Sequence, residues 1–163
     1  MDVLHKDPLL EVYRLRLGPY DNNAYVIIDP EARRAAIIDA PPEGEAILDV
    51  VRPHAVDHIL ITHEHPDHIM TLGLLRDATG AKVHAHEDET NVPGELIDAR
   101  LRHGDVLQVG RHEIRVVHTP GHTPGSVSFV LGDYLFSGDT LFPGGPGASR
   151  SPEALRQEIR SIT

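Results

Sequence analysis

The chain contains no cysteine and no tryptophan, and only 4% of its 163 residues are aromatic. Without thiols neither a disulfide framework nor a thiolate metal site can form, so imidazole and carboxylate must hold any metal. With so few rings, Val, Ile, Leu and Ala have to build the core. Basic residues are also in deficit: 15 Lys and Arg face 25 Asp and Glu, a formal net charge of −10. Such a surface repels phosphate backbones, and no basic stripe offsets it, because Arg100, Arg102 and Arg111 are interleaved with Asp98 and Asp105. Nucleic acid is not expected as a partner. No apolar run approaches the roughly 18 residues of a membrane span, and the opening MDVLHKDPLL is too charged for a secretory signal. A cytoplasmic location without a membrane partner is the default expectation.

Apolar residues at 40% and charged residues at 25% are those of a globular protein, and the length suits one domain over residues 1–163. The apolar patterns predict a mixed α and β fold. Glu11–Leu17 alternates as a half-buried strand, while residues 24–29 and 35–39 are apolar runs ending in Asp. Residues 18–23 form a turn cluster between the first two. A helix is expected over 41–53, a strand over 57–62, a helix over 67–79 stopped by Gly80, and a strand over 81–86. Residues 87–94 read as polar loop. Two hairpins follow, 105–109 with 112–118 and 127–131 with 134–137, then a Gly/Pro-rich loop over 142–149. Ser151, Pro152 and Glu153 have the residue types of a helix start for the closing segment.

Histidine is abundant, with 12 in the chain, and its distribution is concentrated. Thr62-His63-Glu64-His65-Pro66-Asp67-His68 places three histidines and an aspartate on a loop between a strand and a helix. Neutral imidazole and carboxylate suit zinc, iron or manganese. His63 and His65, two apart, can reach one ion together, and Asp67 and His68, displaced by the turn at Pro66, can serve a second. His122, within Thr119-Pro120-Gly121-His122-Thr123-Pro124-Gly125-Ser126, and Asp139, within Ser137-Gly138-Asp139-Thr140, each follow a strand. Taken singly, these two read more readily as capped-turn residues than as ligands. Asp39, at a strand end, is placed to hydrogen-bond a ligand imidazole. His84 and His86 share one strand face, either as a further site or as a polar strand end. His118 reads as a packed neighbour of the site, and His5, His54, His58, His103 and His112 as surface residues.

The three motifs in this order resemble the metallo-β-lactamase superfamily, and within it the glyoxalase II-like hydrolases. Gly18-Pro19-Tyr20-Asp21-Asn22-Asn23-Ala24-Tyr25 and Ile37-Ile38-Asp39-Ala40 are similar to that group too, so the resemblance spans about residues 11 to 162. It implies an αββα sandwich with a metal site at one edge of the sheets. It implies that His63, His65 and His122 bind a first metal, and that Asp139 bridges to a second held by Asp67 and His68. The cofactor implied is zinc, one or two ions, with iron as the alternative. The reaction implied is hydrolysis of a small ester, thioester or lactone by a metal-held hydroxide, with Asp67 as the catalytic proton carrier. Two other readings stand beside it: a mononuclear iron persulfide dioxygenase using His63, His122 and Asp139, and an inactive metal-binding or interaction domain.

The family pattern continues past the bridging aspartate into a further strand that carries one more histidine. No histidine follows Asp139 here. The expectation is a sandwich lacking its C-terminal strand or strands; a natural one-metal form, or a ligand from a neighbouring chain, would also account for the gap. The family's glutathione thioester hydrolases carry a helical domain beyond this region, so the resemblance transfers no glutathione specificity. The expected partner is a small-molecule substrate, and an uncovered sheet edge would favour a homo-oligomer.

Overall fold

The computed structural model describes residues 1–163. A seven-stranded sheet has the order β1 (Asp2–Lys6), β2 (Glu11–Leu17), β3 (Asn22–Asp29), β4 (Arg34–Ile38), β5 (Ala55–Leu60), β6 (Lys82–His86) and β7 (Ala99–Leu101). The first four strands pair antiparallel and β4 to β7 pair parallel. A second, antiparallel sheet runs in the order β11 (Tyr134–Phe136), β10 (Val127–Leu131), β9 (His112–His118), β8 (Val106–Val109). Helices α1 (Gly44–Val51), α2 (Pro66–Ile69) and α3 (Leu72–Thr79) serve the first sheet.

Two separate cores follow from the strand pleat. Val26 and Ile28 on β3, with Ala35 and Ile37 on β4, pack towards Ile47 and Val51 of α1 and Leu72 and Leu75 of α3. The alternate residues, Ile27, Ala36, Ile38 and Leu60, meet Ile114, Val116, Val127, Phe129 and Phe136 of the second sheet. β3 and β4 are buried on both faces, which is why they read as continuous apolar runs. The closing helix α4 (Pro152–Ile162) is capped by the Ser151 hydroxyl, which accepts from the Ala154 amide at 3.1 Å. Its last turn borders a cleft of about 160 Å³ with Val117, Ser128 and Leu135 on the outer face of the second sheet. The expected sandwich is the observed one. No helix is long and apolar enough to cross a membrane.

Several local expectations need correction. β1 and β7 went unread because each is short and largely exposed. The 142–149 loop contains part of a small hairpin, β12 (Leu141–Phe142) with β13 (Gly145–Pro146). Asn22 and Asn23 belong to β3 rather than to the turn. The helix expected over 67–79 is broken in two at Met70 and Thr71. There the Thr71 amide donates to the Ala40 carbonyl at 3.0 Å, and its hydroxyl donates to the Pro41 carbonyl at 2.7 Å. Those bonds tie the helix to the loop after β4 and fix the segment that carries His68.

Candidate metal centre

The parallel strands β4 and β5 end side by side, and the loops that leave them bring the polar residues together. Asp39 follows β4 with a left-handed backbone (φ 63°), a conformation that an aspartate tolerates better than most residues. Its carboxylate is buried and holds three groups. Oδ1 accepts the Thr62 amide at 2.8 Å, while Oδ2 accepts the Thr62 hydroxyl at 2.7 Å and His68 Nδ1 at 2.9 Å. The imidazole that Asp39 holds is that of His68.

These bonds fix which ring nitrogens carry a proton. The Thr62 hydroxyl gives its hydrogen to Asp39, so its oxygen accepts from His63 Nδ1 at 3.0 Å and leaves His63 Nε2 with a lone pair. His122 Nδ1 donates to the Ala148 carbonyl at 2.6 Å, which frees His122 Nε2 in the same way. That nitrogen lies 3.0 Å from His65 Nδ1. Two ligand atoms of a tetrahedral zinc at 2.0–2.1 Å bond lengths would be about 3.3 Å apart, close to this spacing. One ligand atom from each of His63, His65 and His122 lies within 4.8 Å of the others, and the same holds for His63, His68 and Asp139. His63 Nε2 and His68 Nε2 are buried with no hydrogen-bond partner. His68 Nε2 is 3.3 Å from Asp139 Oδ1 without hydrogen-bond geometry. Buried nitrogens without partners are costly. A divalent cation fits this donor set and would satisfy both.

The electrostatics prepare two of the rings for a cation and leave a proton on a third. Burial pushes His63 well below the ordinary imidazole range, and the neighbouring His68, His122 and His65 push it further. Burial, with His122, also lowers His65. Both rings are therefore neutral near pH 7, as ligation requires. For His68 burial is outweighed by Asp139 and Asp39, which hold its pKa up to about 10, so without a metal this ring keeps its proton near pH 7 and a bound ion has to displace it. Burial also works against the Asp139 carboxylate, but His68 and the other rings keep it below the usual carboxylate range.

Five of the six residues singled out in the sequence come together here: His63, His65, His68, His122 and Asp139. Asp67 belongs to neither cluster. Its Oδ2 accepts from Asn22 Nδ2 at 2.9 Å, and the same amide donates to the Asp67 carbonyl at 2.9 Å. Glu64 turns away from the cluster and binds the amide and side chain of Asn91.

Two buried carboxylates around the cluster were not anticipated. Glu89, fully buried in a segment that reads as polar loop, accepts the Glu64 amide at 2.7 Å and the Thr123 hydroxyl at 2.5 Å. It ties the His63–His65 loop to the His122 loop, and burial, helped by Glu64, raises its carboxyl above the ordinary range. The other, Glu158 on α4, has nothing in the sequence to mark it.

His84 and His86 do not share a site. His84 Nε2 lies 3.0 Å from His58 Nδ1, and His58 Nε2 donates to the Gln108 carbonyl at 3.0 Å, so His58 is a half-buried link and not a surface residue. His86 stacks on His118, with centroids 4.0 Å apart and planes 12° from parallel. A ligand atom of Asp88 lies within 4.8 Å of theirs, but the in-plane lone pairs of parallel rings do not converge on one ion. His118 is a packed residue, as expected, with Nε2 bonded to the Pro124 carbonyl at 2.9 Å.

Known proteins share this sequence pattern and fold. The chain is 39% identical over 131 residues to a hydroxyacylglutathione hydrolase of Rhodopseudomonas palustris (strain BisB18), covering 78% of this chain and 51% of that protein. It thus spans about half the length of that curated relative. Among solved structures, ETHE1 from Myxococcus xanthus superposes with a TM-score of 0.81 at 32% identity, over 93% of this chain and 67% of the other. TTHA1623 in a di-iron-bound form gives 0.76 at 28% identity, over 92% and 85%. The profile of the Metallo-beta-lactamase superfamily matches residues 17–161, nearly the whole fold and every residue of both clusters. The chain belongs to the metallo-beta-lactamase superfamily.

Proposed function

We propose that this chain is a metal-dependent hydrolase of a small ester, thioester or lactone, with zinc as its metal. The observation that carries the proposal is the pair of buried, partnerless nitrogens, His63 Nε2 and His68 Nε2, beside His65, His122 and Asp139. His63, His65 and His122 would hold one ion. His68 and Asp139 would hold a second, with Asp67, which lies in neither cluster, kept for proton transfer. When bound, zinc supplies a Lewis acid for a carbonyl and lowers the pKa of water to about 7.

The chain's own residues supply orientation and proton transfer. Asp39 and Ala148 fix the His68 and His122 rings from behind, so their ligating nitrogens face inward without rearrangement. Asp67 is half-buried, with Oδ2 held by Asn22 and Oδ1 without a partner, so it can accept a proton and return it to a leaving group. Hydroxyacyl thioesters of glutathione are the first substrates to try, since the similar protein of Rhodopseudomonas palustris is named for them. The test is hydrolysis of thioester and lactone panels by zinc-loaded protein, with Asp67→Asn alongside. Turnover that collapses in that variant is expected; a zinc-loaded protein inert on both panels overturns the hydrolase reading.

An iron-dependent persulfide dioxygenase is the second reading. It is supported by His63, His122 and Asp139, a two-histidine, one-carboxylate set with His122 Nε2 3.8 Å from Asp139 Oδ2, and by the likeness to ETHE1 from Myxococcus xanthus. Oxygen uptake with a persulfide would favour it, and iron-loaded protein that consumes no oxygen would remove it.

A further inference from the structure

We infer that Glu158 is a positioning residue for His122, acting through the backbone of residues 147–149; the inference rests on the reading of His122 as a metal ligand. Glu158 is the one buried residue of α4 and has no measurable exposure, while Leu155 and Ile159 on the same helix are 38% and 43% exposed. That inverts what an amphipathic helix normally does. A carboxylate taken out of water is costly unless each oxygen is bonded. Here Oε1 accepts the Gly147 amide at 3.0 Å, and Oε2 accepts the Ser149 hydroxyl in a short hydrogen bond. No Lys or Arg forms an ion pair with it.

The residue between those two donors is Ala148, whose carbonyl receives the proton of His122 Nδ1. One side chain therefore grips the segment on both sides of the acceptor that sets the His122 tautomer. The same helix holds the His122 loop from its other side. Gly121 lies against the Glu158 backbone and Cβ, where any Cβ of its own would overlap them, and the Ser161 hydroxyl donates to the Pro120 carbonyl at 2.8 Å. Gly147 also lies against the Asp139 carbonyl, with no room for a side chain, so the gripped segment borders a second candidate ligand. Glu158 thus connects α4 to both His122 and Asp139.

Three substitutions separate positioning from plain structural support. Glu158→Met keeps the volume and removes both acceptors. Glu158→Gln keeps an oxygen for Gly147 and offers an amide that Ser149 can accept, so it restores the grip. Ser161→Ala loosens α4 on the same loop without touching residues 147–149. Two readouts apply: the His122 ring tautomer in metal-free protein by nitrogen-15 NMR, and zinc affinity by competition with a chromophoric chelator. The wild type, Glu158→Gln and Ser161→Ala are expected to hold the Nδ1–H tautomer and similar zinc affinity. Glu158→Met should show mixed tautomers and bind zinc about ten- to a hundredfold more weakly, as loss of outer support typically does.

A Glu158→Met protein with the wild-type tautomer and zinc affinity overturns the inference. Should that variant fail to fold, Ser149→Ala decides, and wild-type behaviour of that protein in both readouts overturns it equally. A tautomer change in Glu158→Met with no zinc binding by the wild type would support the positioning and remove the metal reading instead.

Discussion

At the scale of single residues, the site rests on second nitrogens. Each ring that faces the cluster from His63, His68 and His122 has its other nitrogen tied to a hydroxyl, a carboxylate or a carbonyl. Asp39→Ala should therefore weaken zinc binding by about ten- to a hundredfold with His68 still in place, read by chelator competition. Asp67 separates two roles. If it carries a proton, Asp67→Asn leaves at least one zinc bound at His63, His65 and His122 and lowers kcat by roughly a hundredfold or more.

The metal-free protein also has a readable pH profile. His68, held up to about 10, adds stability that is complete below the ordinary 6.5 and lost as pH rises through about 10. His84 has the opposite sign. Burial, with His58 beside it, pushes His84 down to about 4, so its contribution is present above 6.5 and lost as pH falls towards 4. Thermal melts of chelator-treated protein should peak near pH 6.5 and decline on both sides; a flat profile from pH 4 to 10 contradicts these assignments. The 63–68 cluster was legible because metal-type residues at such close spacing after an apolar strand are rare, whereas His122 and Asp139 became legible only through the resemblance to the superfamily. Glu89 and Glu158 were not, because a carboxylate in a polar loop or on a short helix looks solvated until tertiary packing buries it.

Among the elements, the strands buried on both faces were the easiest to read. Phe129 of β10 sits fully buried between the two sheets. Phe129→Ala should cost about 3–5 kcal/mol in denaturant unfolding, since the rigid sheets cannot close over the cavity. The unread elements were those with little apolar surface to signal them. β1 carries Asp2, His5 and Lys6 and is held by pairing with β2, including an Arg14–Asp2 contact at 2.6 Å. The split between α2 and α3 was also illegible. Its cause is the bonding of Thr71 to a loop some thirty residues earlier, which no local pattern encodes.

On the scale of the whole molecule, the fold brings candidate ligands from three separate segments, residues 63–68, 122 and 139, together. Because these residues gather only in the folded chain, metal binding is linked to folding. Zinc at a hundredfold excess over its Kd should stabilise the protein by about 2.7 kcal/mol, visible as a higher melting temperature that a chelator reverses. The order of the motifs made the superfamily legible from sequence. The substrate was not, because it depends on the rim of the site, and the rim loops carry no comparable pattern.

The most direct test of the central claim is the metal content per chain of purified protein by elemental analysis, beside a His63→Ala/His122→Ala variant. The account predicts one to two zinc ions in the wild type and less than half of that in the variant. A wild type that is metal-free after purification, and stays so after dialysis against zinc or iron, would contradict it.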